Sequence, residues 1–250
     1  CGIIISGLQG VQRQYPSRTH GNWHFVYVDC FSYIGKYLGE KEDTFQEKGI
    51  KTVYGSPIIG IDALDRLKIH ARSKMGVNIR INVILIEQEK NVYEGLKQTL
   101  SENGYSSRIT ETRAFHELAD EQIAIVNADS TKIVDDLLLY TTNSNTWAFY
   151  LIDPYGPTGI PYDFVKKIVS RDHHDVMINF IFEDLLRKGG MALKGNIKPE
   201  HKQLVDNWTN AFGNESWIQI ARKFLLAEQE NDILQRSEER RVGKECRSRW

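Results

Sequence analysis

Apolar residues follow two rhythms along the chain: short dense runs, and longer stretches in which they recur at helical spacing. Dense runs bounded by turn residues read as buried strands, and helically spaced ones as amphipathic helices. Strands are expected at Phe25–Asp29, Asn82–Glu87, Gln122–Asn127, Trp147–Ile152 and Asp175–Phe180. Between them, helical patterns cover a segment opened by Gly55-Ser56-Pro57, then Asn91–Glu102, a stretch following Ala128-Asp129-Ser130 through Leu139, and Tyr162–Val169. Ser56 suits an N-cap and Pro57 the first helical position, while Asn103-Gly104 suits a helix end. Further helical patterns cover 198–212 and 217–234, and the charged stretch 36–54 reads as a surface excursion. Strands alternating with helices argue for the α/β class, with a doubly wound, mainly parallel, Rossmann-like sheet.

The stretch Trp147–Gly159 organises this reading. Its apolar opening, Trp147–Ile152, is too short for a typical helix and reads as a buried strand rather than a half-exposed one. Asp153-Pro154 stops that strand, because proline has no N–H for the ladder. Tyr155-Gly156-Pro157-Thr158-Gly159 then forms a tight exposed loop. In an open parallel sheet ligands sit beyond the carboxyl ends of the strands, so an acid, a rigid turn, a ring and a glycine occupy the address where chemistry is done.

Composition adds boundaries. Charged residues make up 26% and apolar residues 41% of the 250, ordinary globular values. No apolar run is long enough to span a bilayer and no signal peptide is visible, which predicts a soluble cytoplasmic protein. Cys1, Cys30 and Cys246 form neither a disulfide framework nor a metal spacing, and Cys30 reads as a small buried residue. The chain lacks an initiator Met and is expected to begin inside a longer reading frame, with 1–22 a remnant N-terminal segment. Residues 236–250 resemble the translation of a sequencing adapter and are set aside as a non-native tail. That tail holds six Arg or Lys and three Glu, so the rest of the chain carries −4 of the overall −1. Without it, the electrostatic footprint for a polyanion is weak.

Four acids end or follow strands: Asp29, Glu87, Asp129 and Asp153. Each alone reads equally as a helix cap or a solvated turn residue. In order, they match a nucleoside-bearing cofactor laid across the sheet's switch point. An acid and a glycine turn follow the first strand, an acid meets ribose hydroxyls after the second, and another lies near an exocyclic amine after the third. A dinucleotide would require a glycine fingerprint after the first strand, where only Gly35 is present, and no phosphate-binding P-loop exists. A cofactor without phosphates, S-adenosylmethionine, asks least of this loop. No metal-binding motif is present; His173 and His174 are adjacent and cannot face one ion from the same side of a strand.

These residues carry a resemblance. Tyr27-Val28-Asp29-Cys30-Phe31-Ser32, Gly55-Ser56-Pro57 opening a helix, Ile86-Glu87, Ile152-Asp153-Pro154-Tyr155-Gly156 with Ile160-Pro161, and Ile178-Asn179-Phe180 with Leu186-Arg187 are similar to the three-Cys-motif partner proteins (TcmP). These are bacterial proteins with a class I methyltransferase-like domain, and the cysteines of the name belong to the partner. The turn at Asp153 also resembles those of the tRNA guanine-N2 dimethyltransferases and, more distantly, of adenine-N6 enzymes. The resemblance covers about residues 23–215 and implies a methyltransferase-like Rossmann domain there, a helical segment at 216–235, and a sheet truncated at about five strands. It implies that Asp29, Phe31, Ser32 and Gly35 line the methionine end of S-adenosylmethionine, that Glu87 holds the ribose, and that Asp129 lies beside the adenine. Asp153, Pro154, Tyr155 and Gly156 would form the methyl-acceptor turn, accepting hydrogen bonds from a target amine while Tyr155 stacks on a base. The implied partner is a three-Cys-motif protein encoded nearby, and nucleic acid is one acceptor class.

Where the family pattern has its first glycine after the first strand, this chain has Tyr33, a ring placed where backbone approaches the cofactor. That supports a rival reading, an inactive methyltransferase-like fold that serves as a binding module for the partner. A third reading, acids around Mg²⁺, requires Asp29, Asp129 and Asp153 to converge on one ion. Asn179 either lines the cleft or satisfies a buried backbone group, and Trp147, Phe149 and Tyr150 read as core before base-stacking surface.

Overall fold

The computed structural model of the chain describes residues 23–40, 50–154, 156, 159–179 and 199–223. It divides into two compact units: residues up to Pro154 with Phe164–Asn179, and Tyr155–Asp163 with Phe180 onward.

The first unit runs β1 (Trp23–Asp29), β2 (Lys36–Glu40), β3 (Ile50–Tyr54), α1 (Ser56–Met75), β4 (Ile79–Glu87) and α2 (Lys90–Glu102). It continues through β5 (Ile109–Thr110), β6 (Ile123–Asn127), α3 (Val134–Thr141), β7 (Thr146–Ile152), the larger part of α4 (Tyr162–Val169) and β8 (His174–Ile178). Six strands form one sheet in the order β5-β6-β4-β1-β7-β8, and every pairing is parallel. The sixth, beyond the expected five, is the two-residue β5, too short to leave a periodic signal. The order reverses at β1, whose neighbours are β4 and β7. That reversal is a topological switch point.

β1 is buried along its whole length because helices cover both faces. Trp23, Phe25 and Tyr27 pack with Ile61 and Leu64 of α1 and Leu96 of α2. On the other face, Tyr140 of α3 donates its hydroxyl to Asn82 of β4 at 2.9 Å, and His24 Nε2 lies 2.9 Å from the same Asn82 oxygen. The fold is thus the doubly wound α/β arrangement expected from sequence.

Local differences have local causes. Gly55, in extended conformation, precedes α1, and Ser56 is not the N-cap: it is the first helical residue and makes no capping bond. Its hydroxyl instead serves Asp29. α1 ends on Gly76 in the left-handed region, as does the turn after α2 on Gly104. The charged excursion after β1 contains the antiparallel pair β2–β3, tied back where Gly55 N–H donates to the Gly35 carbonyl at 2.9 Å. The helix expected directly after Ser130 starts at Val134, and Asp129–Lys132 form a turn before it. β7 is not uniformly buried: its residues alternate between buried and half-buried, so the run of aromatics covers two unequal faces.

The second unit holds α5 (Lys202–Phe212), which ends at Gly213 in the left-handed region, and a helical segment at 216–223. Val205, Trp208 and Trp217 form its small core, with Trp217 Nε1 donating to Thr209 Oγ1 at 3.0 Å. The remaining expected helix, to 234, and the N-terminal segment 1–22 lie outside the described residues, as does the 236–250 tail. No helix among the described residues is long and apolar enough to cross a membrane.

Candidate functional site

The parallel register creates a notch at the switch point. β1 ends at Asp29, which pairs with Leu85 on one side and Leu151 on the other. β4 continues two residues further, to Glu87, and β7 runs on to Ile152 with Asp153 beyond it. The rims, Glu87 and Asp153, stand two strand spacings apart, about 10 Å across. Asp29 forms the floor.

That floor is sealed. Asp29 is fully buried, and its carboxylate accepts the Tyr27 hydroxyl at 3.1 Å, the Phe31 N–H at 3.3 Å and the Ser56 hydroxyl. Burial pushes its pKa up to about 6; the three hydrogen bonds pull the other way and the neighbouring Asp153 charge adds to the rise. The adjoining Cys30 thiol is also buried, which holds it well above its usual value.

The loop after β1 is stitched onto the end of β4. Ser32 N–H donates to the Ile86 carbonyl at 3.0 Å, and Ser32 Oγ accepts from Ile86 N–H at 3.1 Å while donating to the Asp29 carbonyl at 3.2 Å. One residue on, Tyr33 N–H donates to Glu87 Oε2 at 3.0 Å. Tyr33 adopts φ 50°, a left-handed conformation that glycine takes freely, and 48% of its surface is exposed. Gly35 is also left-handed and buried, and a Cβ there would lie 3.2 Å from Leu96 Cδ1. It packs against Leu96 and Thr99 of α2.

Glu87 is half-buried; besides Tyr33, it accepts the Glu89 N–H on Oε1 at 2.8 Å. Each oxygen keeps acceptor capacity for a further donor. Asp129, at the end of β6, is turned on its own chain: Oδ1 accepts both the N–H of Thr131 at 3.0 Å and its hydroxyl at 2.7 Å. Lys132 Nζ lies 3.5 Å from Oδ2. Next to it, the Ser130 hydroxyl is buried with no hydrogen-bond partner among the described residues, a cost of about 1–3 kcal/mol for an unmet polar group. Sequence reading passed over Ser130 because nothing in the residue order distinguishes it from an ordinary turn serine.

On the opposite rim Asp153 is exposed and Pro154 buried. Gly156, in the second unit, has φ 112°, a left-handed value that suits glycine. Tyr155 lies outside the described residues. Asp153 Oδ1 accepts the side-chain amide of Asn179 at 2.9 Å. The Asn179 side chain thus serves Asp153 rather than a buried backbone group. The structure brings Asp29, Glu87, Asp129 and Asp153 to one edge of the sheet but not onto one point, and the described residues contain no group of three His, Cys, Asp or Glu positioned to hold a metal ion.

No family model and no curated protein matches the chain. A crystal structure of a Legionella pneumophila str. Philadelphia 1 protein, described by the family model DUF519, is similar at a TM-score of 0.39 and 14% identity, over 67% of this chain and 64% of that one. The likeness therefore spans less than two thirds of that protein.

Proposed function

We propose that the protein is an S-adenosylmethionine-dependent methyltransferase-like protein acting on an amino group, together with a separately encoded three-Cys-motif protein. The observation that carries this reading is the notch at the switch point, with Glu87 on one rim and Asp153 on the other. Glu87 retains acceptor capacity for ribose hydroxyls. S-adenosylmethionine supplies an electrophilic methyl group and needs no phosphate cradle, which this loop lacks. Asp29 is sealed by its own chain, so its part would be to hold the loop, while Phe31 and Ser32 present that loop to the cofactor. Nucleic acid is one acceptor class, toward which the net charge of −1 supplies no strong electrostatic attraction.

A second reading is favoured by Tyr33, a strained residue where the family pattern has glycine: a methyltransferase fold that binds the partner protein without catalysis. Calorimetric titration of S-adenosylmethionine separates the two. Saturable binding that weakens in Glu87→Ala and Asp129→Ala supports the enzyme. No binding by protein shown to be folded by circular dichroism leaves partner binding as the function.

A further inference from the structure

Asp29 ends β1 beneath the notch with none of its surface exposed, and each donor that serves it is neutral. These are the Tyr27 hydroxyl at 3.1 Å, the Phe31 N–H at 3.3 Å and the Ser56 hydroxyl of α1. The titratable groups bearing on it are Tyr27 in its own strand, Cys30 beside it and Asp153 beyond β7, with Glu87 at the end of β4 on the rim. Burial first, and then the Asp29 charge, hold Tyr27 and Cys30 well above their ordinary values. Of these three buried groups, Asp29 is the one that changes charge near pH 6.

Its surroundings accommodate both states. The Tyr27 hydroxyl has a second acceptor within reach, the Ser56 carbonyl at 3.4 Å. With Asp29 charged, that hydroxyl donates to Oδ2. With a proton on Oδ2, the carboxyl donates to the Tyr27 oxygen, and the Tyr27 hydroxyl turns to the Ser56 carbonyl. The Phe31 N–H stays on Oδ1 throughout, so the loop after β1 is held in either state. A buried carboxyl that gains and loses a proton without releasing its loop can respond to charge alone.

We propose that the Asp29 proton answers to the charge of whatever occupies the notch: a cationic ligand expels it, a neutral ligand leaves it, and the notch thereby favours a sulfonium over the neutral thioether left after methyl transfer. The inference rests on the methyltransferase reading above, and it requires no contact between Asp29 and the cofactor. The bound sulfonium stabilises the ionised carboxylate, and the expelled proton goes to solvent. A unit charge about 10 Å away in a protein environment changes the proton affinity of a carboxyl about tenfold. By reciprocity, the affinity for that ligand falls by the same factor as pH drops through about 6 and Asp29 takes its proton. Transfer of the methyl group leaves sulfur neutral, so the product loses an attraction that the cofactor had.

The test is calorimetric titration of the full chain with S-adenosylmethionine and, separately, S-adenosylhomocysteine. Buffers of differing ionisation enthalpy, from about pH 4.5 to 7.5, count the protons released per ligand bound. S-adenosylmethionine is expected to release a fraction of a proton, greatest at about pH 5–6, and to bind about tenfold more weakly at the acid end. Proton release by S-adenosylhomocysteine is expected to lack that component, and groups that touch the shared parts of the two ligands cancel in the comparison. Asp29→Asn should abolish the difference. Tyr27→Phe, which removes a donor to the charged form, should move its maximum to higher pH; a merely structural Asp29 would treat both ligands alike. Equal release by the two ligands, a difference that survives Asp29→Asn, or a maximum that Tyr27→Phe leaves in place overturns this inference alone. Failure of folded protein to bind either ligand overturns the methyltransferase reading and this inference with it.

Discussion

Gly60 of α1 lies directly over the ring of Tyr27 in β1: a Cβ at Gly60 would stand 2.1 Å from Tyr27 Cε1 and 2.4 Å from Cδ1. The ring cannot slide away without cost, because its hydroxyl holds the Asp29 carboxylate at 3.1 Å. Gly60→Ala is therefore expected to destabilise by about 1–3 kcal/mol through overpacking, even though alanine favours a helix over glycine by about 1 kcal/mol. Urea unfolding checks this, and an unchanged or higher midpoint would show that the helix has room to lift.

The two ends of β1 carry buried groups with opposite pH behaviour. Burial raises Asp29 from 3.8 to about 6, whereas burial lowers His24 from 6.5 to about 4, its bond to Asn82 opposing that fall. The raised acid contributes stability that is present below its unfolded value and lost as pH rises through about 6. The lowered histidine contributes stability that is present above 6.5 and lost as pH falls through about 4. Each effect amounts to roughly 3 kcal/mol, so between pH 4 and 6.5 they nearly cancel. Chemical denaturation across that window should give a shallow profile for the natural chain. Asp29→Asn should become more stable with rising pH, and His24→Gln less stable. Parallel profiles in the two variants would refute this account.

Tyr33 and Gly35 share a left-handed backbone but should respond oppositely to substitution. Tyr33→Gly removes a penalty of about 1–2 kcal/mol and adds a smaller entropic one, for a net gain of about 0.5–1 kcal/mol. Gly35→Ala acquires that penalty and presses on Leu96, so it should lose about 1–2 kcal/mol. Thermal unfolding reads both. In the same pair of proteins, tighter S-adenosylmethionine binding by Tyr33→Gly would mark the ring as an obstacle to the cofactor.

Arg108 grips Asp65 of α1 with both terminal nitrogens, at 2.7 and 3.0 Å, while its Nε donates to the Glu121 carbonyl at 2.7 Å. A lysine supplies charge but not that planar fork. Arg108→Lys should therefore destabilise by about 0.5–1.5 kcal/mol, most of it insensitive to salt. A loss that disappears in 1 M NaCl would show that charge alone matters.

Much of this architecture is legible in residue order, and the exceptions are physical. β6 and the later part of β4 match the pattern because strands covered on both faces are nearly continuous in apolar residues, whereas β4 begins at Ile79, three residues before the expected Asn82, where Arg80 interrupts the run. β1 was shortened at its start because His24 reads as polar, and only Asn82, Tyr140 and Thr146, distant in sequence, make it a core residue. β2 and β3 were hidden because a two-stranded pair off the main sheet has no apolar run to announce it. At the site, strand-end acids were visible, but their partners were not. Asp153 meets Asn179 across 26 residues, and the Ser56 hydroxyl serves Asp29 from the first position of its helix, choices made by tertiary geometry alone.

The placement of β1 between β4 and β7 also sets an order of assembly on the ribosome. β4 follows β1 closely, but Thr146, which meets His24 on the other side, lies 122 residues downstream. At cellular synthesis rates of about 5–20 residues per second, roughly 6–25 s pass before β7 can dock. For that interval the centre of the finished sheet is an open, apolar strand edge. The middle of the sheet therefore stays open until β7 arrives, with only the β7–β8 seam left to close after it, and it is where a nascent chain of this topology would first need a chaperone.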